Sequence, residues 1–152
     1  EWEFCQRHGA HDGRVTGLAH AGPHFLSAGL DGMVRVWGEG EAGASRSRSP
    51  TFANCLYELR HDKPGLAPAL ATCEVGDGSW LVFTASPTIP GTVRVWCKDG
   101  DGALQPAGQV GVISGGVRKM VCAPCGDGRF LLLVGDSLGA VNVFLVTPKP
   151  QL

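Results

Sequence analysis

Two cysteines in a C-x-x-C frame, Cys122 and Cys125, are the residues whose type and spacing most directly suggest chemistry. Such a pair can exchange thiol for disulfide or supply two ligands to a metal ion. A thioredoxin-like site would place the pair where a helix begins within a βαβ unit. Here the pair precedes Gly-Asp-Gly at 126–128, which is typical of a tight hairpin turn. We therefore expect a small buried Cys122 and an exposed Cys125, and a thiol redox or metal-binding enzyme is the alternative.

The densest group of other metal-ligand residues lies near the start of the chain and comprises Cys5, His8, His11, His20 and His24. An expected strand at 15–19 would separate the histidines before it from those after it by roughly 17–20 Å, too far for one zinc ion. The chain also lacks the G-x-x-x-x-G-K-[ST] pattern of a phosphate-binding loop. The sequence therefore predicts no catalytic residue, no metal and no cofactor.

The composition fits one folded domain, with 152 residues, 43% hydrophobic content and a net charge of −1. This weak charge argues against nucleic acid as a partner, and no apolar run approaches the ~20 residues of a membrane span. Six cysteines at irregular spacing, without a signal peptide, favour reduced thiols and an intracellular location, cytoplasmic or nuclear. Because the first residue is Glu1 rather than Met, we expect a piece of a longer chain.

Three similar segments recur along the chain: DGMVRVW at 31–37, PGTVRVW at 90–96 and LGAVNVF at 138–144. Each is a glycine turn followed by alternating residues that end in an aromatic side chain, the pattern of a strand after a hairpin. The aromatic positions Trp37, Trp96 and Phe144 are 59 and 48 residues apart. A period of ~40–45 residues with four strands is typical of a propeller blade, and insertions would lengthen it here.

The 23 glycines and 10 prolines leave few stretches for a helix, so the prediction is an all-β chain of short antiparallel strands. The repeats span about 4–37, 53–97 and 103–146. Expected strands lie near 15–19, 25–29, 33–37, then 53–59, 68–73, 80–85, 92–97, and finally 104–110, 117–122, 129–135 and 140–146. The segment 38–52 lacks apolar periodicity and is predicted to be a mobile insertion, with Ser47 and Ser49 beside arginines as candidate phosphorylation sites.

These features resemble the WD40-repeat family, and the resemblance covers nearly the whole chain. The family pattern has a His before the innermost strand, a Ser or Thr in the second strand, an Asp in the next turn and a Trp ending the third. The matching positions in the first repeat are His11, Ser27, Asp31 and Trp37. The resemblance implies a structural chain of hydrogen bonds through these four side chains. The same types could form a hydrolase triad, but no G-x-S-x-G elbow surrounds Ser27.

The later repeats match the family pattern less completely. In the second repeat His61 and Trp96 fit, but the Asp position falls on PTIPG at 87–91, which has no carboxylate. In the third repeat Leu138 stands at the Asp position and Phe144 at the Trp position, and we expect the second and third units to rely on packing alone. The resemblance implies a propeller segment of about three four-stranded antiparallel blades, fewer than the roughly 4–8 that close a ring.

Proteins similar to this family serve as rigid platforms, so the implied function is a non-catalytic protein–protein interaction scaffold. Its expected partners are other proteins or peptides, together with the remaining blades of a larger propeller. Loops rather than strands would bind them, because the core uses the strands. The candidate loop residues are Arg7, His8, Leu30, Arg60 and Asp62. Open blades at both ends would expose apolar faces, so we expect the isolated chain to be oligomeric or poorly soluble.

Overall fold

The computed structural model describes residues 9–38, 54–76, 78–98 and 100–148, and the predicted all-β class is confirmed within them. Eleven strands occur in these ranges: β1 (Val15–Ala21), β2 (His24–Gly29), β3 (Met33–Gly38), β4 (Asn54–Arg60), β5 (Ala69–Glu74), β6 (Trp80–Ala85), β7 (Gly91–Lys98), β8 (Leu104–Ile113), β9 (Val117–Gly126), β10 (Arg129–Asp136) and β11 (Val141–Val146). Within the same ranges, no helix has the length and apolar character needed to cross a membrane.

Alternation of side chains decides which face each strand buries. In β10, Phe130, Leu132 and Val134 are buried, whereas the residues between them are half-buried. Val34 and Val36 in β3 show the same period of two. Because successive side chains of a strand point to opposite faces, each sheet has two distinct faces.

Glycine lets the β2–β3 turn approach the segment that follows β4. Gly32 has a φ of +78°, a conformation that residues with side chains rarely adopt. A Cβ atom at Gly32 would also collide with the carbonyl oxygen of Asp62. The backbone N–H groups of His61 and Asp62 each donate to the Gly32 carbonyl at 3.0 Å. The glycine therefore allows the β2–β3 turn and the segment after β4 to pack closely at one end of the first sheet.

Hydrogen bonding arranges the strands into three antiparallel sheets. The first sheet has the order β1-β2-β3-β4, the second β5-β6-β7-β8 and the third β11-β10-β9. Strands that follow one another in the chain are therefore neighbours in each sheet, as short hairpin connections require.

Two predicted strands belong to different sheets from those that the repeat boundaries implied. The strand expected at 53–59 in the second repeat is β4, which pairs with β3 and closes the first sheet. The strand expected at 104–110 in the third repeat is β8, which pairs with β7 and completes the second sheet. The third sheet consequently has three strands rather than four in the described residues. Each of these strands forms hydrogen bonds with the backbone N–H and C=O groups that the preceding strand would otherwise leave unpaired at the sheet edge.

The predicted insertion at 38–52 also needs a small correction. Gly38 is the last residue of β3 and pairs with Asn54 in β4. Residues 39–52 and the start of the first repeat at 4–8 lie outside the described residues.

Two apolar clusters join the sheets face to face. The cluster between the first and second sheets contains the buried residues Ala21, Leu26, Ala28, Val34, Val36, Val82 and Leu104. The cluster between the second and third sheets includes Ala69, Ala71, Cys73, Phe83, Ala85, Val93, Val95, Val117, Phe130, Leu132 and Val134. The second sheet is therefore covered on both faces, since Val82 contributes to one cluster and its neighbour Phe83 to the other.

The three sheets converge at their first strands. Thr72 in β5 donates its hydroxyl to the His20 carbonyl in β1 at 2.7 Å. Lys119 in β9 donates its ammonium to the Thr16 carbonyl, also in β1, at 3.0 Å. If the three sheets were stacked as flat layers about 10 Å apart, the first and third would be separated by about 20 Å, which a lysine side chain cannot span. The sheets therefore fan out from β1, β5 and β9.

Candidate functional site

Three parts of the chain bring the predicted set His11, Ser27, Asp31 and Trp37 together. His11 precedes β1, Ser27 lies in β2, and Asp31 lies in the turn before β3, which contains Trp37. Ser27 is paired with Arg35 across the two strands. Trp37 lies two residues further along β3, so it is the diagonal neighbour of Ser27 on the same face.

The four side chains form one continuous chain of hydrogen bonds. Trp37 Nε1 donates to Ser27 Oγ at 2.9 Å, and Ser27 Oγ lies 2.7 Å from His11 Nε2. On the other side of the ring, His11 Nδ1 lies 2.8 Å from Asp31 Oδ1. An ionised carboxylate can only accept, so Nδ1 donates to Asp31 and Nε2 accepts from the serine. Arg35 Nη1 also lies 2.8 Å from Nδ1, but it donates to the Asp31 carboxylate because a protonated Nδ1 cannot accept. This chain fixes the β2–β3 turn against both strands and against the segment before β1.

Asp31 is the electrostatic centre of this network. Arg35 Nη1 donates to its Oδ2 at 2.8 Å, and the backbone N–H of Met33 donates to its Oδ1 at 3.2 Å. Burial would raise the pKa of Asp31, but the hydrogen bonds from Arg35, His11 and Met33 outweigh it and hold that pKa far below its usual range. The carboxylate is therefore ionised and serves as the common acceptor of the site.

Ser27, His11 and Asp31 have the order of contacts found in a hydrolase triad, but the serine is not available for attack. Ser27 is 3% exposed, and its oxygen already accepts the indole N–H of Trp37. A nucleophile needs an accessible oxygen that faces the substrate. These residues are therefore arranged to hold a turn rather than to react.

An open cleft of about 560 Å³ lies beside the network, between the β2–β3 turn and the segment after β4. Its lining residues are Asp12, Leu30, Asp31, Met33, Arg35, Glu58, Arg60, Pro64 and Gly65. Asp31 and Arg35 belong to both the network and the cleft wall. Arg35 is further fixed by Glu58, which accepts from its Nε at 2.7 Å.

Two of the predicted loop residues, Leu30 and Arg60, line this cleft. Arg60 is exposed and forms no ion pair within the described part of the chain. The predicted Asp62 does not line the cleft, because its carboxylate contacts His61 and Ser86 instead. The other predicted residues, Arg7, His8, Ser47 and Ser49, lie outside the described residues.

The second sheet contains two separate halves of a similar network. Trp96 Nε1 donates to Thr84 Oγ1 at 2.8 Å, which matches the contact of Trp37 in the first sheet. His61 Nδ1 lies 3.0 Å from Asp62 Oδ2, and Ser86 Oγ donates to Asp62 Oδ1 at 3.1 Å. The missing carboxylate is thus supplied by the residue next to the histidine. The two halves are not joined, because the buried His61 Nε2 has no hydrogen-bond partner within the described residues.

The third sheet also has a polar anchor, so the prediction that packing alone holds the second and third units is wrong for both. Asp136 Oδ1 accepts from the backbone N–H groups of Leu138 and Ala140 at 2.9 and 3.0 Å. Its Oδ2 accepts from Asn142 Nδ2 at 3.0 Å. The Ala140 N–H is the main cause of a lowered pKa of Asp136, and Asn142 and Leu138 act in the same direction. The carboxylate closes the β10–β11 turn two positions before the one that the repeat pattern indicated.

The structure separates Cys122 from Cys125. Cys122 pairs with Leu132 and packs against the core cluster that contains Cys73, but it is half-buried rather than buried as expected. A hydrogen bond with the Cys122 thiol and burial both raise the pKa of Cys73. Cys125 is exposed, as the sequence predicts, and three residues along a strand correspond to about 10 Å. Within the described ranges, no group of three or more His, Cys, Asp or Glu residues is arranged to hold a metal ion.

Sequence reasoning missed Arg35, Glu58 and Thr84. A signal for Arg35 was present, because VRVW recurs at 34–37 and 93–96 with an arginine two residues before each Trp. Thr84 could also have been found, since FLSA at 25–28 and VFTA at 82–85 both place a hydroxyl residue before an alanine. Glu58 lies in β4, and no repeated pattern connects it with the turn that it faces.

The chain matches no family model and no curated protein. Among solved structures it is similar to one described as the crystal structure of the computationally designed Ika4 protein, with 13% sequence identity and a TM-score of 0.42. The match covers 91% of this chain and 95% of the designed one. A likeness at this level indicates neither fold family nor function.

Proposed function

We propose that this chain is a segment of a WD40-type β-propeller and acts as a non-catalytic scaffold that binds proteins or peptides at the cleft beside Asp31. The observation that carries the proposal is the wall shared by the cleft and the hydrogen-bonded network, to which both Asp31 and Arg35 belong. A wall that is already ordered loses little conformational entropy when a partner binds. A rigid surface of this kind is what an interaction platform requires.

Two features support the propeller part of the proposal. Each sheet ends a repeated hairpin with Trp37, Trp96 or Phe144, and the first two sheets each pack on the next one. The hydrogen bond from Lys119 to the Thr16 carbonyl joins the third sheet to the first at their inner strands, as expected for blades around one axis. The outer faces would receive either the remaining blades of a longer chain or, where those are absent, another copy of this one.

The chemistry of the cleft suits an extended peptide with an acidic side chain next to an apolar one. Arg60 is exposed and forms no ion pair within the described residues, so its guanidinium can bind a carboxylate in a bidentate manner. Leu30 and Pro64 offer apolar contact in the same cleft. Arg35 is already held by two carboxylates and therefore contributes to rigidity rather than to recognition.

A selection of displayed peptides against the purified chain tests this proposal. We expect the recovered peptides to combine an acidic and an apolar residue, and Arg60→Glu to weaken their binding tenfold or more, because a charged hydrogen bond contributes about 1.5–3 kcal/mol. Leu30→Asp should weaken binding as well. Arg118→Glu is the matched control, since Arg118 is an exposed arginine outside the cleft. Selected peptides that bind both cleft variants as tightly as the wild-type chain would contradict the proposal.

A further inference from the structure

The face of the third sheet that points away from the second sheet is apolar and exposed. Val141, Val143 and Leu145 alternate along β11, so they share one face, and they are 66%, 57% and 55% exposed. Leu133 in β10 pairs with Val143 on one side and with Val121 on the other. Val121 is also 57% exposed. These side chains form a continuous patch, which we call the Val143 face.

The equivalent positions in the other two sheets are covered. In the repeated motif Val143 corresponds to Val36 in the first sheet and to Val95 in the second. Val36 is 0% exposed and Val95 is 9% exposed, because the next sheet packs over each of them. The third sheet therefore carries the same apolar residue at the same position, but no further sheet within the described residues covers it.

Among the described residues, no sheet covers the opposite face of the first sheet. Equivalent positions in the first strands of the three sheets are occupied by Leu18, Leu70 and Met120. Leu18 pairs with Ser27 in the second strand of its sheet, and the other two residues pair with the corresponding positions in theirs. Leu70 and Met120 pack into the cluster shared with the preceding sheet. Leu18 is 78% exposed. We call the surface around it the Leu18 face. Inside the molecule, the equivalent face of the second sheet covers Val36 of the first sheet, and the equivalent face of the third sheet covers Val95 of the second.

We infer that a second copy of this chain docks head to tail, with the Leu18 face of one copy over the Val143 face of the other. The same pair of faces already joins the first sheet to the second and the second to the third. Head-to-tail contacts either close into a ring or continue as a filament. Two copies would bring together twice three sheets, within the roughly 4–8 blades of closed propellers, so a closed dimer is the expected form. The inference rests on sheet stacking rather than on peptide binding, although Arg35 of the cleft wall lies on the same face of the first sheet as Leu18.

Light scattering after size-exclusion chromatography of the full 152-residue chain tests this inference. We expect a mass of twice 15.9 kDa, or a larger assembly. Leu18→Asp and Val143→Asp should each give monomers, because each variant retains only one of the two faces that a junction needs. An equimolar mixture of the two variants should form a 1:1 dimer through the intact Val143 face of the first and the intact Leu18 face of the second.

Val112→Asp is the matched control, since Val112 is 64% exposed in a strand of the middle sheet and lies on neither end face. It should associate like the wild-type chain. Thermal melting followed by circular dichroism checks that each variant folds, and Leu18→Thr and Val143→Thr provide milder changes at the same positions. A wild-type chain that stays monomeric, or a mixture that does not pair although both variants are folded, would overturn the inference.

Discussion

The Ser27 hydroxyl illustrates how one small polar group can hold three segments of chain. It accepts from Trp37 in β3 and lies within hydrogen-bond distance of His11, which in turn contacts Asp31 in the turn. In the second sheet the Thr84 hydroxyl is equally buried, but within the described residues its only side-chain hydrogen bond is the one that it accepts from Trp96. The two sites therefore share a chemistry but differ in the number of partners that depend on the hydroxyl.

Removal of the two hydroxyls should therefore have unequal effects. Ser27→Ala leaves two buried partners, the Trp37 N–H and the His11 nitrogen, without this contact, and we expect it to lower the free energy of unfolding by about 1–3 kcal/mol. Thr84→Val keeps the shape of the side chain and affects one partner, so its effect should be smaller. Urea unfolding of both variants measures the difference. An equal loss would mean that the contact between Ser27 and His11 adds no stability.

His61 makes stability depend on pH below neutrality. Burial lowers the pKa of His61, Asp62 opposes this effect, and Arg94 reinforces it. The unfolded chain then binds a proton near the ordinary histidine value of about 6.5, whereas the folded chain binds it at lower pH. Stability should thus fall as the pH decreases from about 6.5 towards the folded pKa.

Melting temperatures measured across this pH range test the assignment. His61→Gln should show a weaker decrease than the wild-type chain on acidification. His20→Gln, at an exposed histidine, serves as the control and should follow the wild-type curve. If His61→Gln loses stability on acidification as steeply as the wild-type chain does, the dependence arises elsewhere.

At the level of the elements, turns decide how closely neighbouring connections can approach. The β2–β3 turn lies directly against the segment after β4, where Gly32 faces the carbonyl of Asp62. The β10–β11 turn has a similar backbone at Gly139, with a φ of +83°, but nothing lies within 4 Å of a Cβ placed there. The same conformation thus has a packing role in one turn and none in the other.

Alanine substitutions separate these two contributions. Gly32→Ala should cost well over about 1 kcal/mol, because it combines an unfavourable φ with a collision against backbone. Gly139→Ala should show the conformational cost alone. Chemical denaturation of both variants gives the comparison, and an equal destabilisation would show that the Asp62 segment moves aside without cost.

At the level of the whole molecule, each sheet has one face equivalent to the Leu18 face and one equivalent to the Val143 face. The order of the sheets follows from packing one kind of face on the other. The second sheet is covered on both sides, whereas the Leu18 face and the Val143 face remain open at the two ends. The contact of Lys119 with the Thr16 carbonyl adds curvature, because it draws the first strands of the outer sheets together. The proposed self-association and the curvature thus have separate structural origins.

Local sequence was sufficient for the strands and for the first network. All eleven observed strands begin within one residue of a predicted one, since glycine turns and alternating residues act over short distances. Three of the four network residues are joined through a single hairpin, so their spacing in the repeat reflects their spacing in the sheet. The assignment of strands to sheets was less accurate, because the repeat does not state which open edge the next strand will join.

The sequence by itself determined the all-β class, the hairpins and the positions of His11, Ser27, Asp31 and Trp37, because these depend on turn chemistry and on the period of two along a strand. Tertiary structure decided that Asp62 accepts from Ser86, that Cys122 meets Cys73 rather than Cys125, and that Arg60 shares a cleft with Leu30. Each of these contacts joins residues from different strands or connections. Such contacts depend on how faces pack in three dimensions, and no regular spacing along the chain encodes them.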